Sequence, residues 1–282
     1  MVIRGADEHE RARPKGEPMK WYEVFARVSP LALRVCQRNA DVFRTTILVN
    51  FIPPLLEPVL YIVAFGFGLG SLIKTVPYQG RQLPYLAFMA PGVISVAVMF
   101  WSYFETTYTC FVRMYYQRTF DAIIATPLLV EDVIAGEWIW GATKSVMACS
   151  IMLVGISCFG LAHWPSAVLV IPLAGLGGLL FAALGLITTS LVPQIEQFNL
   201  PTFIIIFPMF LFSGTFFPID ILPAWAVHVA WVLPLTHISS LIRGACLGEV
   251  PPHMLAGIGY LVAMTLAAAG LALVLMRRRL VK

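Results

Sequence analysis

Long uncharged apolar runs, fenced by three clusters of basic residues, leave this chain one solvent to fold in: a lipid bilayer. Arg4, Arg11, Arg13, Lys15, Lys20, Arg27, Arg34, Arg38 and Arg44 precede the first apolar run. Arg113, Arg118 and Lys144 flank one central segment, and Arg277, Arg278, Arg279 and Lys282 close the chain. Basic residues in short loops stay on the cytoplasmic side of a membrane. The clustering therefore predicts both ends and the central loop inside the cell. Hydrophobic residues make up 59% of the chain and mean hydropathy is +0.82, against roughly 45–50% apolar residues in a soluble domain. The net charge of +4 is explained by topology and anionic headgroups, with no nucleic-acid partner implied. The five cysteines are odd in number, scattered and without a Cys-x-x-Cys pair. They read as small packing residues.

A span needs about 20 residues at about 1.5 Å each to cross a core about 30 Å thick. Residues 145–192 carry no Asp, Glu, Lys or Arg, far too long a run for one helix. His163-Trp164-Pro165 divides it into spans 3 and 4 with a tight external turn. Span 1 is placed at 45–72, where Pro53, Pro54 and Pro58 should kink it and Gly66, Gly68 and Gly70 allow close backbone approach. Its N-terminal position marks it as a retained signal anchor. Span 2 is placed at 85–112, span 5 at 197–217 and span 6 at 253–276. The stretch 218–243 is apolar but cut by Pro218, Pro223 and Pro234. A full crossing there would put the closing arginines outside. It is therefore expected to dip into the outer leaflet and return, buried against protein, with Asp220 and Arg243 near headgroup level and Trp225 and Trp231 at the interface. The loop 73–84 is expected outside.

Residues 1–18 read as a flexible cytoplasmic tail and 19–282 as one transmembrane domain. Between Lys20 and Arg44, Trp21, Val24, Phe25, Val28, Leu31, Val35 and Val42 recur at helical spacing among basic residues. This is the pattern of an amphipathic helix lying at the membrane surface, or of a solvated helix packed on a neighbour. The fold class is thus all-α integral membrane protein, with six transmembrane helices, an N-terminal interfacial helix and a re-entrant external helix pair before the last span.

Chemistry is sparse. No Gly-x-x-x-x-Gly-Lys-[Ser/Thr] loop is present; the string Gly141-Ala142-Thr143-Lys144-Ser145 lacks the second glycine, so the chain alone is not expected to hydrolyse ATP. There is no catalytic or metal-ligating set: no His-Glu-x-x-His, no paired His and Asp of an acyltransferase, no Asp-x-Asp of a glycosyltransferase. Two acids sit inside spans, Glu57 and Glu105. Such residues are costly and face a bundle interior or a water-filled path. Each reads either as a polar step on a transport path or as a structural pair. Phe65, Trp101 and Phe104, with Phe67, Phe100 and Tyr103, are candidates to line a path for an amphiphile, or are lipid-facing packing.

The central segment 113–137 is the most informative stretch. Thr119 is expected to cap a short helix with Asp121 in its first turn. Thr126-Pro127 is expected to start a second one, with Glu131, Asp132 and Glu137 forming an acidic face. Two short helices with an apolar and acidic surface suggest a docking site; a loop tucked under its own bundle is the alternative.

This segment resembles the permease subunits of type-2 ABC exporters. The resemblance extends through Glu57-Pro58 with Ala64-Phe65-Gly66-Phe67-Gly68-Leu69-Gly70, Phe104-Glu105-Thr106-Thr107-Tyr108, Thr119-Phe120-Asp121-Ala122-Ile123-Ile124-Ala125-Thr126-Pro127, Gly136-Glu137 and Trp140-Gly141-Ala142-Thr143. It continues in Pro208 to Gly214, Phe217-Pro218, Leu222-Pro223-Ala224-Trp225 and Leu233-Pro234-Leu235-Thr236-His237. It covers the chain from about residue 20 and is strongest toward the branch that exports lipo-chitin oligosaccharide nodulation signals. The resemblance implies a homodimer bound to two copies of a separate ABC ATPase, which holds ATP and Mg. It implies a cytoplasmic coupling helix within 117–137, so that Thr119, Phe120, Asp121, Thr126, Pro127, Glu131, Asp132 and Glu137 form the ATPase interface. It also implies external helices in 218–243 capping the exit. The leading expectation is an exporter in the bacterial inner membrane that moves an amphiphile, a lipo-oligosaccharide or lipid-linked saccharide, outward. The alternative is a membrane-embedded enzyme or an ion-coupled secondary transporter using Glu57 and Glu105.

Overall fold

The computed structural model describes residues 27–251 and 253–281; the expected tail 1–18 and the first part of the amphipathic helix lie outside them. In chain order the elements are α1 (Ala32–Thr45), α2 (Ile47–Leu72), a hairpin of β1 (Thr75–Tyr78) and β2 (Arg81–Pro84), α3 (Tyr85–Tyr116), α4 (Thr119–Ile124), α5 (Val130–Cys158), α6 (Ser166–Leu191), α7 (Ile195–Phe212), α8 (Ala224–Val232), α9 (Pro234–Leu247) and α10 (Met254–Leu280). Six of these helices, α2, α3, α5, α6, α7 and α10, are long and apolar enough to cross a membrane. The chain is a multi-pass, all-α membrane protein with one small hairpin.

Helices α3, α5, α6 and α10 form the centre, with α6 packed on α3, α5 and α10. Small residues bring the backbones together, as expected where lipid gives helices no hydrophobic reason to associate. A Cβ on Gly185 of α6 would lie 2.9 Å from the Tyr103 carbonyl oxygen of α3. One on Gly178 would lie 3.0 Å from Ala142 Cα of α5. The close approach expected at Gly66, Gly68 and Gly70 is not found: a Cβ at Gly68 meets nothing within 4 Å. The reason is that α2 lies at the edge, with exposed Leu48, Val49, Ile52 and Leu60, and it touches the bundle chiefly through α5 and α3.

Buried hydroxyls in α3 return to their own backbone, as Ser102 does to Val98 O at 2.8 Å and Thr107 to Tyr103 O at 2.8 Å. Wider π turns occupy Glu105–Thr109 and Val112–Tyr116. There the Thr106 carbonyl accepts from Thr189 Oγ1 of α6 at 2.7 Å, a cross-helix bond at the widened turns.

Several local expectations change. Helix α1 begins at Ala32, after a break at Val28 and Ser29 and a turn at Pro30 and Leu31. The loop 73–84 pairs into a hairpin, closed by Gln79 and Gly80 at positive φ. The second loop helix does not start at Thr126-Pro127: residues 125–127 form a turn, Leu129 is extended, and α5 runs unbroken from Val130 through the bilayer-length span. Arg118, in the left-handed region, precedes α4, so Thr119 is inside the helix rather than its cap.

The prolines do break 218–243 into a pair. Helices α8 and α9 meet at 83° across Leu233, since Pro234 cannot continue a backbone ladder. Trp225 of α8 contacts Phe212 at the end of α7, while Cys246 near the end of α9 accepts from the His163 N–H at 2.7 Å. The bend itself reaches the Tyr260 hydroxyl, which donates to Val232 O at 2.5 Å. The two arms of the pair thus contact the end of α7 and the 159–165 turn. Arg243, expected near headgroup level, is buried. Its guanidinium donates to Phe88 O at 3.0 Å and Gly214 O at 2.9 Å and stacks 3.8 Å from the Phe88 ring. Carbonyl dipoles and a ring face hold the cation where water is absent.

Candidate coupling and transport site

The bundle has a basic end and an opposite end, defined by contact. Arg277 of α10 pairs with Glu131 of α5 at 2.9 Å. Arg279 donates to the Tyr115 hydroxyl and to Thr189 O. These bonds place the close of the chain beside the ends of α3 and α6 and the start of α5. At the other end lie the β hairpin, the 159–165 turn and Glu249, which pairs with Arg81.

At the basic end four charged side chains form a closed set. Glu105 Oε1 accepts from Arg113 Nη1 at 2.8 Å and from Trp140 Nε1 at 2.9 Å, while Oε2 accepts from Lys144 Nζ at 2.6 Å. Arg113 Nη2 also reaches Glu137 Oε2 at 2.5 Å, and Glu137 Oε1 accepts from Asn39 Nδ2 of α1 at 2.8 Å. Two carboxylates meet two cations, so the set is neutral. Each oxygen named is hydrogen-bonded, which is the condition for holding charge out of water. The set ties α1, α3 and α5 into one body. α1 docks by its Ala32, Val35 and Asn39 face, and Gly136 of α5 leaves the space that Val35 fills. Burial in this seam pushes the Cys36 thiol up.

The expected acidic docking face is therefore corrected. Glu131, Asp132 and Glu137 are 3%, 1% and 1% exposed. Asp132 accepts from the backbone N–H of Ser29 at 2.6 Å and of Leu129 at 3.2 Å. Glu131 and Asp132 lie in the first turn of α5, where carboxylates suit the helix dipole, and all three acids spend their charge inside the protein. Phe120 is fully buried in a plug with Met114, Val133, Ile134 and Met276, and Thr119 is buried beside Arg38. What remains exposed of the predicted interface is Asp121, Thr126 and Pro127, the tip of the loop around α4.

The transport-path candidates separate into three places. Glu57 and Phe65 share a groove of about 570 Å³ along α2, lined by Ile52, Leu56, Leu60 and Tyr61. Trp101 stands between this groove and the charged set, beside Glu57 and with Lys144 Nζ 5.9 Å from its ring. Glu105 is sealed in the set, so the two acids do not share a site. Phe104 belongs to a strip of ring contacts that the sequence reading only began to trace. Phe65 meets Phe216 at 5.3 Å, Phe216 meets Phe210 at 5.2 Å, and Phe210 meets Phe100 at 5.8 Å. Phe100 stacks on Phe104 at 5.5 Å, and Phe104 meets Tyr108 at 5.8 Å. Tyr108 meets Phe198 at 5.1 Å, Phe198 meets Phe111 at 5.4 Å, and Phe111 meets Tyr115 at 4.6 Å. The strip runs between α2, α3 and α7 from near the opposite end to the basic end. Its signal was in the sequence: Phe100, Phe104, Tyr108, Phe111 and Tyr115 recur at three- and four-residue spacing on one helix face. Arg113 and Lys144 were read only as topology markers. The stripe position of Arg113 eight residues after Glu105 was the available hint of their pairing.

Residues 30–247 match the family described as ABC-2 type transporter. The chain is 34% identical to Nodulation protein J of Rhizobium meliloti (strain 1021), over 88% of this chain and 93% of that protein. Identity is also 34% to Nodulation protein J of Rhizobium leguminosarum bv. viciae, over 89% and 95%. It is 24% to the inner membrane transport permease YadH of Escherichia coli (strain K12), over 77% and 83%.

Proposed function

This chain belongs to the ABC-2 type transporter family, as a membrane-embedded permease subunit, and from that premise we propose that it exports an amphiphile. The substrate class is an acylated or lipid-linked oligosaccharide, moved outward across the bacterial inner membrane by a homodimer of this chain. Both termini and the α4 loop face the cytoplasm. Two copies of a separate ABC ATPase, which bind ATP and Mg, dock on the exposed tip from Asp121 to Pro127. The four-charge set behind that tip transmits their movement as one rigid body.

The observation that carries the amphiphile reading is the aromatic strip beside the Glu57 groove. The half-buried rings of Phe65, Phe100, Tyr108, Phe210 and Phe216 offer apolar faces to an acyl chain and stacking faces to sugar rings. The resemblance to permeases that export lipo-chitin oligosaccharide nodulation signals favours the lipo-oligosaccharide class over other amphiphiles. The test is reconstitution of the chain with its ATPase in proteoliposomes. Lipo-oligosaccharide should stimulate ATP hydrolysis, and Phe104→Ala combined with Phe65→Ala should abolish that stimulation while leaving basal hydrolysis intact. Stimulation unchanged in the double variant would remove the strip from the transport path.

A further inference from the structure

We infer that this chain carries a second amphiphile site, away from the Glu57 groove, built for a neutral hydroxylated headgroup with a single alkyl chain. It lies at the end opposite the basic one, between α6, the bent pair α8–α9 and the start of α10. Two chambers meet there, of about 480 and 460 Å³. They share Leu241, Pro251 and Met254 as a common wall, and neither shares a lining residue with the Glu57 groove.

The two chambers differ in chemistry. The first is lined by Trp231, His237, Ser240, His253 and Tyr260. Its rings form one wall, Trp231 to His237 at 5.8 Å and His237 to Tyr260 at 4.5 Å. The bend fixes them. With α8 ended by Pro234, the carbonyls of Trp231 and Val232 need partners, and His237 Nε2 at 2.9 Å and the Tyr260 hydroxyl at 2.5 Å supply them. The side chains of Ser240 and His253 make no hydrogen bond to the described residues, and so remain available to a ligand. Among the described residues, no Lys, Arg, Asp or Glu lines this chamber. A phosphate would find no lysine or arginine there, whereas a sugar would find ring faces to stack on and two free hydrogen-bonding groups. The second chamber is walled by Leu169, Leu173, Leu176, Val250 and Ile258. Its charged rim residue, Glu249, is already paired with Arg81. An alkyl chain is the occupant such a wall recognises.

The experiment is equilibrium binding of radiolabelled dodecyl maltoside to the full chain in phospholipid nanodiscs, with empty discs subtracted. Dodecylphosphocholine, with the same chain and a charged head, is the comparison. No ATPase or transport is involved, so failure here and failure of the export reading are separate results. One saturable maltoside site per chain is expected. Ser240→Ala with His253→Ala should weaken maltoside binding about ten-fold, the scale of two lost hydrogen bonds. The same pair should leave phosphocholine binding unchanged. Leu173→Trp, checked for an unchanged melting temperature, should weaken both probes. Phosphocholine binding as tightly as maltoside would make this an ordinary phospholipid contact and overturn the inference. So would maltoside binding with no saturable component, or with none of the variants altering it.

Discussion

Glu57 and Glu105 are the same residue in the same kind of surroundings by sequence, each a lone acid in an apolar span. In the fold they have opposite fates. Glu105 is 3% exposed and receives three donors from α3 and α5. Glu57 is half-buried on a groove of the thinly packed α2, with Trp101 beside it. The difference teaches that an intramembrane acid is structural where its span is surrounded and available where its span is at the edge. Charge compensation needs cations from other helices, and only a central helix has them within reach.

The largest effect should come from breaking the compensated side. Arg113→Met leaves Glu105 and Glu137 each short of a cation in a buried site, at a cost of about 3–5 kcal/mol. Thermal unfolding in detergent should show a strong drop in midpoint or loss of monodisperse protein. An unchanged midpoint would mean the four-charge set is not what holds α1, α3 and α5 together. Glu131→Lys should act similarly, because it sets a lysine against Arg277 in a buried pair.

An intermediate effect is expected at the edge. Glu57→Gln and Glu57→Leu should both fold, with midpoints within about 1 kcal/mol of wild type, since α2 contributes little to the centre. Transport separates them. If hydrogen bonding to the groove is the role, the Gln variant works and the Leu variant fails; if charge is the role, both fail. Wild-type transport by both would dismiss Glu57 as a functional group.

The smallest effect on the fold, within about 0.5 kcal/mol, should follow Asp121→Lys at the exposed loop tip. Its consequence should appear instead as several-fold less ATPase recovered on co-purification. Equal recovery would move the docking surface away from α4. Contrasting this variant with Glu131→Lys separates a surface defect from a folding defect, which a sequence-based choice among the acids of 113–137 could not do.

Much of this was legible beforehand. Six bilayer-length runs, the hairpin division at His163-Trp164-Pro165 and the proline-broken pair before the last span follow from composition and proline placement. They are local consequences of hydropathy and of a backbone that cannot hydrogen-bond at Pro234. What the sequence could not supply was the direction of each polar side chain. Glu131, Asp132 and Glu137 looked like a surface because they follow an exposed turn at Thr126-Pro127. Their burial depends on Ser29, Asn39 and Arg277 arriving from distant parts of the chain. Arg243 looked like a headgroup contact because charge is costly in lipid, yet Phe88 and Gly214 provide it with carbonyls and a ring inside the protein. Hydropathy and proline placement act along the chain, so sequence alone determined the spans and breaks. Compensation of a buried charge acts across helices, so only the tertiary structure decided which acids are sealed and which stand open.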